Sequence, residues 1–85
     1  MQITFKLYAM LTDYLPVEQR RRGNEITLDL APNSTVVDVI AQFNLPPKMV
    51  HLVLINGHFV PPAERAQRTL QAGDVLAVWP PIAGG

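Results

Sequence analysis

Only one stretch of this 85-residue chain keeps helical spacing for more than two turns, and that limits what the chain can fold into. Val36, Val37, Val39, Ile40 and Phe43 recur as one helix face, and Thr35 and Asp38, three positions apart, have the chemistry of a capping box. The spacing predicts a helix over 36–44, stopped at Asn44 because Pro46-Pro47 cannot continue it. With a single main helix, the remaining apolar residues must be buried by strands.

Those strands are legible as periods. Ile3, Phe5 and Leu7 alternate with Thr4, Lys6 and Tyr8, and Ile26, Leu28 and Leu30 alternate within 25–30, so the first two strands are expected to pair antiparallel. Residues 9–24 begin with a short helical turn holding Leu11, Tyr14 and Leu15, followed by a polar loop through Arg20-Arg21-Arg22. His51 to Ile55 reads as a central strand. Asn56-Gly57 turns it into a short partner at 58–60, and Val75 to Trp79 forms the last strand before Pro80-Pro81. Ala63 to Leu70 reads as a polar connection, and Ala72-Gly73-Asp74 as a turn. The expected fold is α+β, with one helix across a mixed sheet of four or five strands.

Composition limits function. A chain of this length encloses one modest core and no large internal cleft, so residues 1–79 are expected to form one domain and 80–85 an extended tail. Apolar residues are 48% and charged residues 16%, which suits a compact globule rather than a disordered chain. With no cysteine there is no disulfide, no thiolate metal site and no sulfur nucleophile of the chain's own. A formal charge of zero favours neither nucleic acid nor an anionic membrane as partner. The start of the chain has no signal-peptide pattern and no apolar run is long enough to cross a bilayer, so a cytoplasmic protein is expected.

The chemistry is expected at the tail, Pro80-Pro81-Ile82-Ala83-Gly84-Gly85. Two prolines favour an extended conformation leading away from the body, with a reach of about 20 Å. Gly84 and Gly85 have no side chains, so a terminal carboxylate can pass down a channel closed to any other residue. An ATP-using partner can convert that carboxylate to an acyl adenylate, and a sulfur nucleophile can displace AMP to leave a thiocarboxylate. Small residues at a chain end are also what an ordinary frayed terminus contains.

The tail, the preceding Ala72-Gly73-Asp74 and apolar strand, Tyr8-Ala9-Met10-Leu11, Ser34-Thr35-Val36-Val37-Asp38-Val39-Ile40 and Leu54-Ile55-Asn56-Gly57 together resemble the MoaD/ThiS family of ubiquitin-like sulfur carriers. The Pro-Pro tail and the chain length are more similar to the small subunit of molybdopterin synthase than to the thiamin-pathway member. The resemblance implies a ubiquitin-like β-grasp fold. It makes Gly85 the site of adenylation and thiocarboxylate formation, with Pro80, Pro81, Ile82, Ala83 and Gly84 threading into the partner. It further implies an adenylyltransferase partner of the MoeB/ThiF type that uses ATP and magnesium, and a sulfur acceptor such as the molybdopterin synthase large subunit. No cofactor bound stably by this chain and no side-chain catalysis are implied. Pro16 and the Arg20-Arg21-Arg22 loop depart from the family pattern, which leaves the receiving pathway open. A protein modifier joined through Gly85 to target lysines, or a plain β-grasp binding module, would need the same fold.

Other residues have ordinary readings beside functional ones. Leu52 to Ile55 and Val75 to Trp79 are apolar on both strand faces while one helix covers one face, so an open docking patch anchored on Phe59 and Trp79 is one expectation. Burial of the second face under residues 9–16 is the other. Arg20-Arg21-Arg22, with Glu18 and Glu25 nearby, reads as a solvated loop, and His51 and His58 as surface histidines without metal-ligand spacing. Ser34 is expected to cap the helix, and Asp74 to hold a turn.

Overall fold

The structure, a computed structural model, describes residues 1–81. Strands β1 (Gln2–Leu7), β2 (Glu25–Asp29), β3 (Leu52–Ile55), β4 (His58–Phe59) and β5 (Val75–Trp79) form one sheet in the order β2-β1-β5-β3-β4. β1 and β5 run parallel, and the other neighbours are antiparallel. With a helix packed across one face, this is the ubiquitin-like β-grasp arrangement, α+β as expected.

The period-two pattern explains the core. Ile3, Phe5 and Leu7 of β1 lie opposite Leu28 and Ile26 of β2 and Leu76 and Val78 of β5, and Val53 and Ile55 of β3 extend the same face. Helix α2 (Val36–Gln42) closes this face with Val36 and Val39, both fully buried. Seven residues are too few for a stable isolated helix, so packing and capping must hold it. Both halves of the capping box form: Asp38 N–H donates to Thr35 Oγ1 at 3.2 Å, and Thr35 N–H donates to Asp38 Oδ2 at 2.9 Å. Asn44 ends the helical segment at φ 56°, a left-handed angle that asparagine tolerates.

Several expectations change. Residues 9–16 do not cover the second face of the sheet: Leu11 and Leu15 are buried in the single core cluster with Ile3, Phe5 and Leu7. The segment is a 3₁₀ turn (Ala9–Tyr14), followed by one turn of α-helix, α1 (Val17–Arg20), where a loop was expected. Arg20 is not idle in solvent, because its Nε donates to Leu15 O at 2.9 Å and its Nη2 donates to Asp13 O, bracing that turn. Ser34 does not cap α2; its Oγ donates to Ala31 O at 2.7 Å and closes the preceding turn, leaving the cap to Thr35. The 63–70 connection is not simply polar, since Arg65 and Leu70 are buried.

Candidate functional site

The outer face of the sheet is split by composition. One register row crosses all five strands as Glu25, Lys6, Ala77, Leu54 and Phe59, passing from charged to apolar at the middle strand. The row beside it pairs Trp79 with Leu52, and the indole stacks on Tyr8 with ring centroids 4.0 Å apart and planes 8° from parallel. The β5–β3–β4 half of this face is thus lined by Trp79, Ala77, Leu52, Leu54 and Phe59, of which Phe59 is 56% exposed, Trp79, Leu52 and Leu54 are half-buried and Ala77 is buried. Neighbouring strands lie about 4.8 Å apart, so Phe59 and Ala77 are separated by about 10 Å across Leu54. Phe59 and Trp79 therefore share a face, but Trp79 is half-buried and stacked on Tyr8, and the centre of the patch is Leu54.

The tail begins at one end of this patch. Trp79 is the last residue of β5, and its carbonyl accepts a hydrogen bond from His51 N–H at 3.0 Å. Pro80 is buried and Pro81 is exposed, so among the described residues the chain leaves the body at Pro81. Ile82, Ala83, Gly84 and Gly85, the expected threading residues and carboxylate, lie outside the described residues.

Turns at the opposite end of β5 are cross-tied. Asn56 and Gly57 adopt φ 50° and 82°, the left-handed pair of a type I′ hairpin. Asn56 Nδ2 donates to Asp74 Oδ1 at 2.9 Å, its Oδ1 accepts from Val75 N–H at 2.8 Å, and Asp74 Oδ2 accepts from Gln71 N–H at 2.8 Å. Asp74 is a turn residue, as its position beside Gly73 predicts. His51 and His58 are exposed, and among the described residues no group of three or more His, Asp or Glu side chains could hold a metal ion.

The sequence reading missed Arg65. This side chain is 7% exposed and donates from Nε to Val60 O at 3.0 Å, from Nη2 to His51 O at 3.0 Å and from Nη1 to Val50 O at 3.4 Å. Burial lowers its pKa from the ordinary arginine value, and a guanidinium remains charged in proteins nonetheless. A groove of about 220 Å³ between Val37, Ile40, Pro47, Val50, Pro62 and Arg65 lies below the size usual for small-molecule pockets. No helix among the described residues is long and apolar enough to cross a membrane.

Comparison with known proteins agrees with this geometry. The model of the ThiS family matches residues 14–85. A search of curated proteins finds no match. Among solved structures, small archaeal modifier protein 1 of H. volcanii is similar at 21% identity over 95% of this chain and 98% of its own, with a TM-score of 0.66. A chain of the complex of subunits 1 and 2 of molybdopterin-converting factor from Helicobacter pylori is similar at 13% identity over 100% of both chains, with a TM-score of 0.61. A ubiquitin-like protein from Caldiarchaeum subterraneum is similar at 20% identity over 99% of this chain and 100% of its own, with a TM-score of 0.55. At these identities the structural likeness establishes the fold alone.

Proposed function

Because the chain belongs to the ThiS family of ubiquitin-like sulfur carriers, we propose that it is a non-catalytic, cytoplasmic carrier whose Gly85 carboxylate is loaded with sulfur by partner enzymes. A carboxylate oxygen of Gly85 attacks the α-phosphorus of ATP, and pyrophosphate leaves. Hydrosulfide, or a donor that delivers it, then attacks the acyl carbon and AMP leaves, giving a thiocarboxylate. The carrier supplies a handle while ATP, magnesium and catalytic groups belong to an adenylyltransferase of the MoeB/ThiF type. The sulfur goes to cofactor biosynthesis, with molybdopterin as the product. The acceptor is then a large subunit of the kind that accompanies subunit 1 in the H. pylori complex.

The observation that best supports this reading is continuity. The open apolar half-face ends at Trp79, and the next residues are Pro80-Pro81-Ile82-Ala83-Gly84-Gly85. A partner seated on Leu52, Leu54 and Phe59 therefore has the root of the tail at its edge. Such a face costs solubility unless something covers it, and large apolar side chains at the centre of an interface contribute most of its affinity.

The test is pyrophosphate release with ATP, magnesium and an adenylyltransferase of that type. Wild-type chain should support release, Gly84→Val should lose it by about a hundredfold because a branched side chain blocks the channel, and deletion of Gly85 should abolish it. Release that persists undiminished in both variants would refute the assignment.

A further inference from the structure

The structure assigns Arg65 a positioning role: its guanidinium fork holds the backbone strut against which the root of the tail is braced. This inference rests on reading the tail as the group presented to partners, and it concerns a residue outside both the tail and the docking face.

The geometry is specific. Arg65 follows a single 3₁₀ turn, Pro62–Glu64, in the connection between β4 and β5. Its Nη1 and Nη2 donate to the carbonyls of Val50 and His51, two consecutive peptide units. Between those carbonyls lies the His51 N–H, which donates to Trp79 O at 3.0 Å. His51 precedes β3, so no regular ladder orients its peptide units. One planar, charged fork fixes both at once, and donation to a carbonyl strengthens the N–H of the same peptide unit. The strut then grips Trp79, and the following Pro80 and Pro81 have no N–H with which to make a ladder of their own.

The other end of Arg65 is anchored as well. Its Nε donates to Val60 O, at the end of the β3–β4 hairpin, and its own carbonyl accepts from Val37 N–H in α2 at 3.2 Å. Helix, hairpin and strut therefore meet at this one residue. A buried charge that only satisfied carbonyls would be a costly way to gain stability, because apolar packing of the same volume can do as well. Fixing where β5 ends, and so where the tail leaves, is a use that apolar packing cannot replace.

The chain contains one tryptophan, and it is Trp79, so the root of the tail has its own reporter. Arg65→Gln and Arg65→Lys are compared with wild type by amide exchange and tryptophan emission. Leu28→Ala, a core truncation in β2 at the far edge of the sheet, is the control for lost stability. In both Arg65 variants, His51 N–H exchange should rise by about tenfold or more relative to Leu7 N–H, and Trp79 emission should move to longer wavelength. Leu28→Ala should raise exchange of both amides together and leave the emission in place. Lysine should not rescue, since its three donors share one nitrogen and cannot take the separate positions from which Nε, Nη1 and Nη2 serve Val60, Val50 and His51. Should Arg65→Gln fail to fold, Arg65→Lys carries the same comparison.

With an adenylyltransferase that loads the wild-type chain, the Arg65 variants should lose about tenfold in kcat while KM changes by less than about twofold, because Leu54 and Phe59 at the centre of the docking face lie away from His51 and only its Trp79 margin, where the tail is presented, is loosened. Unchanged relative exchange at His51, full rescue by lysine, or an equal loss of kcat in Leu28→Ala would each overturn the proposal. If no such enzyme loads even the wild type, the proposed function fails, whereas exchange and emission still decide whether Arg65 holds Trp79.

Discussion

At the scale of single residues, most polar side chains in this chain hold backbone groups a few residues away, and Asn56 and Arg65 stand out by reaching distant segments. Asn56 does this most economically: a left-handed angle sets the hairpin while its carboxamide bonds both Val75 N–H and Asp74. Asn56→Ala should therefore cost about 1–2 kcal/mol, read as a fall of about 4–16 °C in Tm for a domain of this size. Asn56→Gly, which accepts the angle but loses both bonds, should fall between that variant and wild type. These roles differ in how visible they are along the chain. Asn56 was readable because Asn-Gly encodes its own turn, and Asp74 because Gly73 precedes it. Arg65 was not, since its three partners are carbonyls of Val50, His51 and Val60, and carbonyls look alike whatever residue carries them. The only local hint was Pro62, a residue suited to the first position of a helical turn just before it.

Elements were legible where one face is buried and the other is wet. β1 and β2 alternate cleanly, and α2 advertises both its stripe and its cap. Thr35→Ala should cost about 1 kcal/mol and lower the helical signal along with Tm, because α2 is too short to persist without its cap. Circular dichroism on thermal melting would measure both. The 9–24 segment was harder to read: Leu11 and Leu15 mark a buried stretch, but nothing in their spacing says which face of the sheet receives it. They enter the core shared with Phe5 and Leu7, and on the outer half-face Leu52, Leu54 and Trp79 stay half-buried and Phe59 exposed. Prolines resist ladders, so the sequence places the start of the tail at Pro80. That residue is buried all the same, and the first exposed residue after β5 is Pro81.

For the whole molecule, the β-grasp sheet places two features side by side: an apolar half-face and, at the end of the sheet's middle strand, the root of a tail that ends in two glycines. Phe59→Asp is expected to leave Tm within a few degrees, as surface changes usually do, because Phe59 makes little core contact. The same change should weaken binding to an adenylyltransferase by about thirtyfold, equivalent to about 2 kcal/mol for an interface anchor. Titration calorimetry would report the loss. An unchanged affinity would show that the half-face is not the docking surface, without touching the chemistry proposed for Gly85.

That chemistry is tested most directly by the intact mass of the full chain recovered from cells in which its activating enzyme is present, with fragmentation to locate any change. The carrier reading predicts a population in which one oxygen of the Gly85 carboxyl group is replaced by sulfur. A chain that carries only an ordinary carboxylate, or whose last residue is found joined to lysines of other proteins with no sulfur-bearing form, would contradict it.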